Sequence, residues 1–190
     1  MSTTAKEKLS KDLTIASLMA ERLRAYLSGQ VLLPMPLPEA PQVSLAGLLM
    51  RLHRLVALRD HLLDAEAQAD LDQVIRQVEQ IMGEKPAQLS QVIDQEQKAR
   101  LRQWREYLRD LEEGAGNAVY YHTAVETRAM LEVLLDKAPQ AEIVRQLTTL
   151  DQTLRQRWQP GPFIWPADWR PAYPEESYWW LYGEPEGAVR

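Results

Sequence analysis

From Leu9 onward the apolar residues Leu9, Leu13, Ala16, Ala20, Leu23 and Leu27 recur at steps of four and three, which places them on one face of an α-helix. Gly29 is a stop signal for that helix. The stretch from Val31 to Pro41 carries Pro34, Pro36, Pro38 and Pro41 among apolar residues. Proline fixes φ and biases the residue before it toward extended backbone, so this stretch predicts a stiff crossover packed across the helical body. Ser44 is placed to cap a second helix whose stripe runs through Leu45, Leu48, Leu49, Leu52, Leu55, Val56, Leu62 and Leu63. The stripe stays in phase through Leu71, Val74, Ile75, Val78, Ile81 and Met82. It fits one long helix, or two divided by a cap near Asp64, and the two-element reading is preferred.

Gly83 closes that region and Pro86 suits the first turn of the next helix. Leu89, Ile93, Leu101, Trp104, Leu108 and Leu111 mark the apolar face of that helix, interrupted by the polar run Asp94 to Lys98. A segment polar on nearly every side predicts exposure, or a bend, at that point. The turn Gly114 to Asn117 follows, with Asn117 placed to cap a helix ending near Lys137. A last helix opens at Pro139, with Ile143, Leu147, Leu150, Leu154 and Trp158 in phase. Short connections favour antiparallel neighbours, so the predicted fold is all-α, an up-and-down bundle of five or six helices.

The pattern breaks at Trp158. Five of the six tryptophans, the only phenylalanine and six of the twelve prolines lie beyond Gln156. Prolines stop a helix and large aromatic rings seek cover, so this segment reads as an irregular, Pro/Trp-rich strap wrapping the body. The expected organisation is a helical bundle over residues 1–157 and an aromatic extension over residues 158–190 packed upon it. Tryptophan and tyrosine are enriched where proteins bind one another. Trp165, Trp169, Tyr178, Trp179, Trp180 and Tyr182 are therefore the candidate interface residues. Adjacent Trp179 and Trp180 point to opposite sides of an extended chain, one free to anchor inward while the other faces a partner.

Composition narrows the functional classes. With 45% hydrophobic and 26% charged residues, the 190-residue chain has the balance of one folded soluble domain. A net charge of −5 gives no general attraction to phosphate backbones or anionic lipid, which disfavours nucleic acid and membranes as partners. The absence of cysteine removes disulfides, thiolate nucleophiles and cysteine-held metals together. The N-terminal run turns charged at Lys6, Glu7 and Lys8 where a signal peptide needs its apolar stretch, and no window approaches eighteen uninterrupted apolar residues. A cytoplasmic protein is expected.

Candidate chemistry is sparse. The three histidines are His53, His61 and His122, and none has a glutamate three positions before it, as a bundle dimetal site requires. The pairs His53 with Asp60, His61 with Asp64, and His122 with Glu126 have the spacing to put imidazole beside carboxylate, a pattern also common on solvated helix faces. Arg54 and His61 are separated by six residues, a spacing that resembles the arginine–histidine motif of the HEPN family of helical-bundle ribonucleases. The match covers two residues, and Leu55 stands where that family usually carries a polar side chain, so the resemblance is not adopted. Arg100, Arg102, Arg105 and Arg109 form the densest basic run, but Glu106, Asp110, Glu112 and Glu113 interleave it, as on a salt-bridged solvated face. No phosphate-cradling glycine loop or nucleophile elbow is present.

These observations point to a non-catalytic protein-interaction or assembly subunit, with a protein partner or a second copy as its ligand and no cofactor. The second reading is a helical enzyme or small-ligand binder with a pocket under the C-terminal segment and one of the histidines as titrating group.

Overall fold

A computed structural model describes residues 4–37, 40–114 and 118–186. The fold is all-α with an aromatic C-terminal segment. Six long helices appear in order: α1 (Ala5–Leu27), α2 (Leu45–Leu62), α3 (Ala65–Glu84), α4 (Pro86–Glu112), α5 (Ala118–Lys137) and α6 (Ala141–Arg155). The chain forms two compact units, the first ending at Asp94 and the second beginning at Gln95.

In the first unit, α1 starts at a capping box. Thr4 Oγ1 accepts from Glu7 N at 3.2 Å, and Glu7 Oε2 accepts from Thr4 N at 2.7 Å. Its end is a Schellman turn, with Gly29 at φ 70° and the bonds Gly29 N to Tyr26 O and Gln30 N to Ala25 O. The predicted α1 stripe is buried throughout. Ser44 caps α2 by accepting from Gly47 N at 3.1 Å. The region from 44 to 82 is two helices: Leu63 turns extended, and the Asp64 carboxylate accepts from Ala67 N at 3.0 Å to begin α3. Gln68 Nε2 then donates to the Leu63 carbonyl and, as a second donor beside Leu63 N, to the Arg59 carbonyl.

A feature that the stripe hides lies between α1 and α2. Asp12 is buried on the apolar face of α1, 3.2 Å from both Arg51 Nε and Arg54 Nη1 of α2, and both arginines are buried too. Arg51 Nη1 also donates to Gly47 O at 2.9 Å. Removing one member of a buried ion group strands the others without water, a cost of about 3–5 kcal/mol. Asp12→Asn is therefore expected to lower the urea midpoint of the first unit sharply. Unchanged stability in that titration would contradict the buried assignment.

Two regions differ in part from expectation. The crossover does not pack across the body: Val31 is 100% exposed and Leu33 82%. Among its described residues Leu32, Met35, Leu37 and Ala40 are half-buried and the rest are exposed. The polar run of α4 is exposed only in part: Gln95 and Lys98 face solvent and Asp94 is half-buried, whereas Glu96 and Gln97 are buried. Gln97 Nε2 donates to Leu134 O at 3.1 Å, which also accepts from Ala138 N, and to Ala138 O at 2.8 Å, just past the end of α5. The expected cap at Asn117 lies outside the described residues.

The last long helix stops at Arg155, so Trp158 is not its final apolar step. It opens strand β1 (Trp158–Pro160), which pairs antiparallel with β2 (Gly183–Pro185) in the register Trp158 to Pro185, Gln159 to Glu184 and Pro160 to Gly183. Between the strands lie a 3-10 helix (Ala167–Ala172), the single turn α7 (Glu175–Tyr178) and a second 3-10 turn (Trp179–Leu181). The pairing joins the two ends of the segment into a closed loop. Gly183, at φ 154°, permits it: a Cβ there would collide with the Gln159 carbonyl and lie 2.8 Å from Trp158 Cζ2.

Candidate functional site

The C-terminal segment is built around stacked rings in the second unit. Trp104 and Tyr107 of α4 stack at 5.7 Å, Tyr107 meets Tyr121 of α5 at 6.0 Å, and Tyr121 meets Trp158 at 5.8 Å. From there the contacts run through Trp179, Trp180, Tyr178, Tyr173 and Trp165 to Phe163 and Tyr182. Several are edge-to-face, the arrangement that the ring quadrupole favours. Backbone bonds fix the path, including Gly161 N to Tyr182 O at 3.0 Å and Ile164 N to Leu181 O at 2.9 Å. The Tyr121 hydroxyl donates to Trp180 O, and the Tyr182 hydroxyl donates to Tyr173 O at 2.7 Å.

Arg128 of α5 is the polar centre of this packing. Its guanidinium lies 3.7 Å from the centroid of the Trp180 ring, with Glu132 bound through Nη1 and Asp151 of α6 at 2.9 Å through Nη2. Arg155 stacks on Trp179 at 3.8 Å. These cation–π contacts tie the tail to α5 and α6.

The six candidate interface residues fall into two groups. Trp169, Tyr178 and Trp180 are buried, whereas Trp165, Trp179 and Tyr182 are half-buried. Trp179 and Trp180 do point to different environments, Trp180 inward onto Arg128 and Trp179 against Trp158 and Arg155. None of the six is fully exposed, and all take part in packing within their own unit.

Burial disfavours the charged phenolate, pushing Tyr121 well above its ordinary value and raising Tyr107 and Tyr178 as well. A raised folded-state value means that the native unit keeps protons which the unfolded chain releases above about pH 10. This stabilisation is complete below that pH and is lost as pH climbs toward the folded values. Alkaline titration is expected to yield tyrosinate absorbance from these rings only together with loss of near-ultraviolet circular dichroism. Their ionisation near pH 10 in an intact fold would contradict their burial.

Two of the histidines and their expected carboxylates can be placed. Asp60 lies 3.7 Å from Arg59, Asp64 caps α3, and His61 is exposed. Arg54 is buried beside Asp12, whereas His61 is exposed. His122 Nε2 lies 3.2 Å from Glu184 of β2, a clasp on the tail that no local spacing could reveal. No group of three or more histidine, aspartate or glutamate side chains is arranged to hold a metal among the described residues. In the basic run Arg102, Arg105 and Arg109 are exposed; Arg105 donates to Gln146, and Arg109 lies 3.6 Å from Asp110.

Three grooves can be placed on the fold. One of about 500 Å³ lies along the crossover, lined by Tyr26, Leu32, Leu33, Pro34, Met35 and Val43 among others. A polar one of about 400 Å³ runs between α1 and α3, past Ser17, Glu21, Asp70 and Gln77. The third, about 500 Å³, separates α4 from α6 beside Arg102, Arg105 and Glu142. None of the three is lined by a residue of the C-terminal segment.

No helix among the described residues is long and apolar enough to cross a membrane. In comparisons with known proteins, no protein family matches the chain, and neither a curated protein nor a solved structure matches it with significance.

Proposed function

We propose that this chain is a non-catalytic protein-interaction or assembly subunit of the cytoplasm, acting without a cofactor, and that its principal contact is the proline crossover. The observation that carries the reading is the exposure of Val31 and Leu33, two large aliphatic side chains left in water on a segment that prolines hold stiff. A stiff apolar segment binds with little loss of conformational freedom, and its burial is favourable at about 25 cal/mol per Å². The aromatic tail supports the interaction unit from within and offers a partner only the remaining faces of Trp165, Trp179 and Tyr182.

The test is the mass in solution, by light scattering, of the intact chain and of the Val31→Ser/Leu33→Ser variant, alone and with any protein that co-purifies. The intact chain is expected to be associated and the variant not. Because both side chains are exposed, stability should change by less than about 0.5 kcal/mol. Association that is indifferent to these residues would move the interface elsewhere, and a chain that associates with nothing would refute the reading.

A further inference from the structure

The groove between α4 and α6 in the second unit reverses the charge of the molecule around it. The chain carries a net charge of −5. The groove is nonetheless lined by three cations of α4, Lys98, Arg102 and Arg105, against one carboxylate of α6, Glu142. Steps of four and three put the cations in one row on the helix, spread over about 10 Å of its length. All three are exposed. Glu142 does not neutralise them, because its carboxylate is bound by Arg145 of its own helix and accepts from Gln146 Nε2 at 2.6 Å. Arg105 donates to the neutral Gln146 side chain. Neither Arg102 nor Glu106, one turn further along, has a hydrogen bond or ion pair among the described residues. The interleaved signs of α4 therefore form an ion pair at Arg109 with Asp110, but none between Arg102 and Glu106.

We propose that this groove docks an acidic segment of another protein, with Arg102 and Arg105 pairing with its carboxylates. Like charges three and four residues apart repel one another on a helix, and a run of carboxylates laid along the row relieves that repulsion. A guanidinium also accepts a carboxylate through two parallel hydrogen bonds, which adds geometry to charge. Complementarity of this kind steers encounter and selects the partner. Nucleic acid is the poorer fit: the net charge repels a polyphosphate, and no aromatic ring lines the groove to stack a base. The crossover belongs to the first unit, so this surface goes beyond the contact proposed above and is tested separately from it.

The probe is a fluorescein-labelled decaglutamate peptide titrated with the intact chain. Binding is read from fluorescence anisotropy at about 10 mM and about 150 mM salt, where the screening lengths are about 30 Å and about 8 Å. The peptide is expected to bind at the lower salt and to weaken as salt rises. Arg102→Glu/Arg105→Glu should weaken binding roughly tenfold or more. The thermal midpoint should hold, because both side chains are exposed. Lys6→Glu/Lys8→Glu makes the same change in net charge on α1 and should cost much less. No binding at the lower salt overturns the proposal. So does equal weakening by the two variants, which would mean attraction to no particular surface. A single-stranded oligonucleotide of matched charge is titrated in parallel. Groove-dependent binding of the oligonucleotide in preference to the peptide would assign the groove to nucleic acid and overturn the proposal as well.

Discussion

Ending the chain after Arg157 is expected to unfold the C-terminal unit. The deletion removes Phe163, Trp169, Tyr173, Tyr178, Trp180 and Leu181, all buried. Each large apolar side chain contributes roughly 2–3 kcal/mol on burial, and the sum is comparable to the whole stability of an ordinary domain. It also uncovers Tyr121 and leaves the Arg128 guanidinium without the ring above it. Far-ultraviolet circular dichroism should lose much of the signal of α5 and α6, while α1 to α3, with their own caps and the Asp12 ion group, keep theirs. A truncated chain with undiminished helical signal and a cooperative melt would show the tail to be a dispensable extension. On the same grounds Trp179→Ala/Trp180→Ala should destabilise the unit, so it cannot serve as a clean test of association.

Arg128→Met carries the second-largest expected effect. Methionine fills much of the arginine's apolar volume under Trp180 but leaves Glu132 and Asp151 without their shared cation. Stranding buried charges costs about 3–5 kcal/mol. The lower end applies here, because Glu132 and Asp151 keep 26% and 16% of their side chains exposed. Arg128→Lys should fall between methionine and the wild type, since lysine keeps the charge but cannot bind both carboxylates and stack on the ring at once. Urea unfolding followed by tryptophan fluorescence ranks the three chains. A methionine variant as stable as the wild type would show that the ion group contributes nothing net.

The local signals were legible because their physics is local. Gly29, Ser44, Asp64 and Pro86 act on atoms within a few residues, and they end or begin helices where their chemistry says they should. What stayed hidden depends on partners far along the chain. Gln97 reads as solvated until the end of α5, about forty residues later, presents the carbonyls that it bonds. Asp12 looks like a polar break in an apolar stripe, and its pairing depends on two arginines that lie on an equally apolar face of α2. Periodicity carried α6 one step too far, because Trp158 is in phase with Leu154 yet belongs to a strand completed by residues near 184. The tail was recognisable as a covering segment from composition alone. Which of its rings would be covered required the positions of Arg128, Arg155 and Tyr121.

The crossover misled for a related reason. Val31, Leu32 and Leu33 have the composition of a core, and composition does not reveal that Val31 and Leu33 stay exposed.

Amide hydrogen exchange on the intact chain, read by mass spectrometry, tests the central claim most directly: the aromatic tail is interior and the proline crossover is the apolar surface left for a partner. Peptides spanning residues 158–186 should exchange as slowly as α5, and the amides of Val31, Leu32, Leu33 and Met35, which lack hydrogen-bond partners among the described residues, should exchange at once. A rapidly exchanging tail beside a protected crossover in the free chain would contradict the account at both ends.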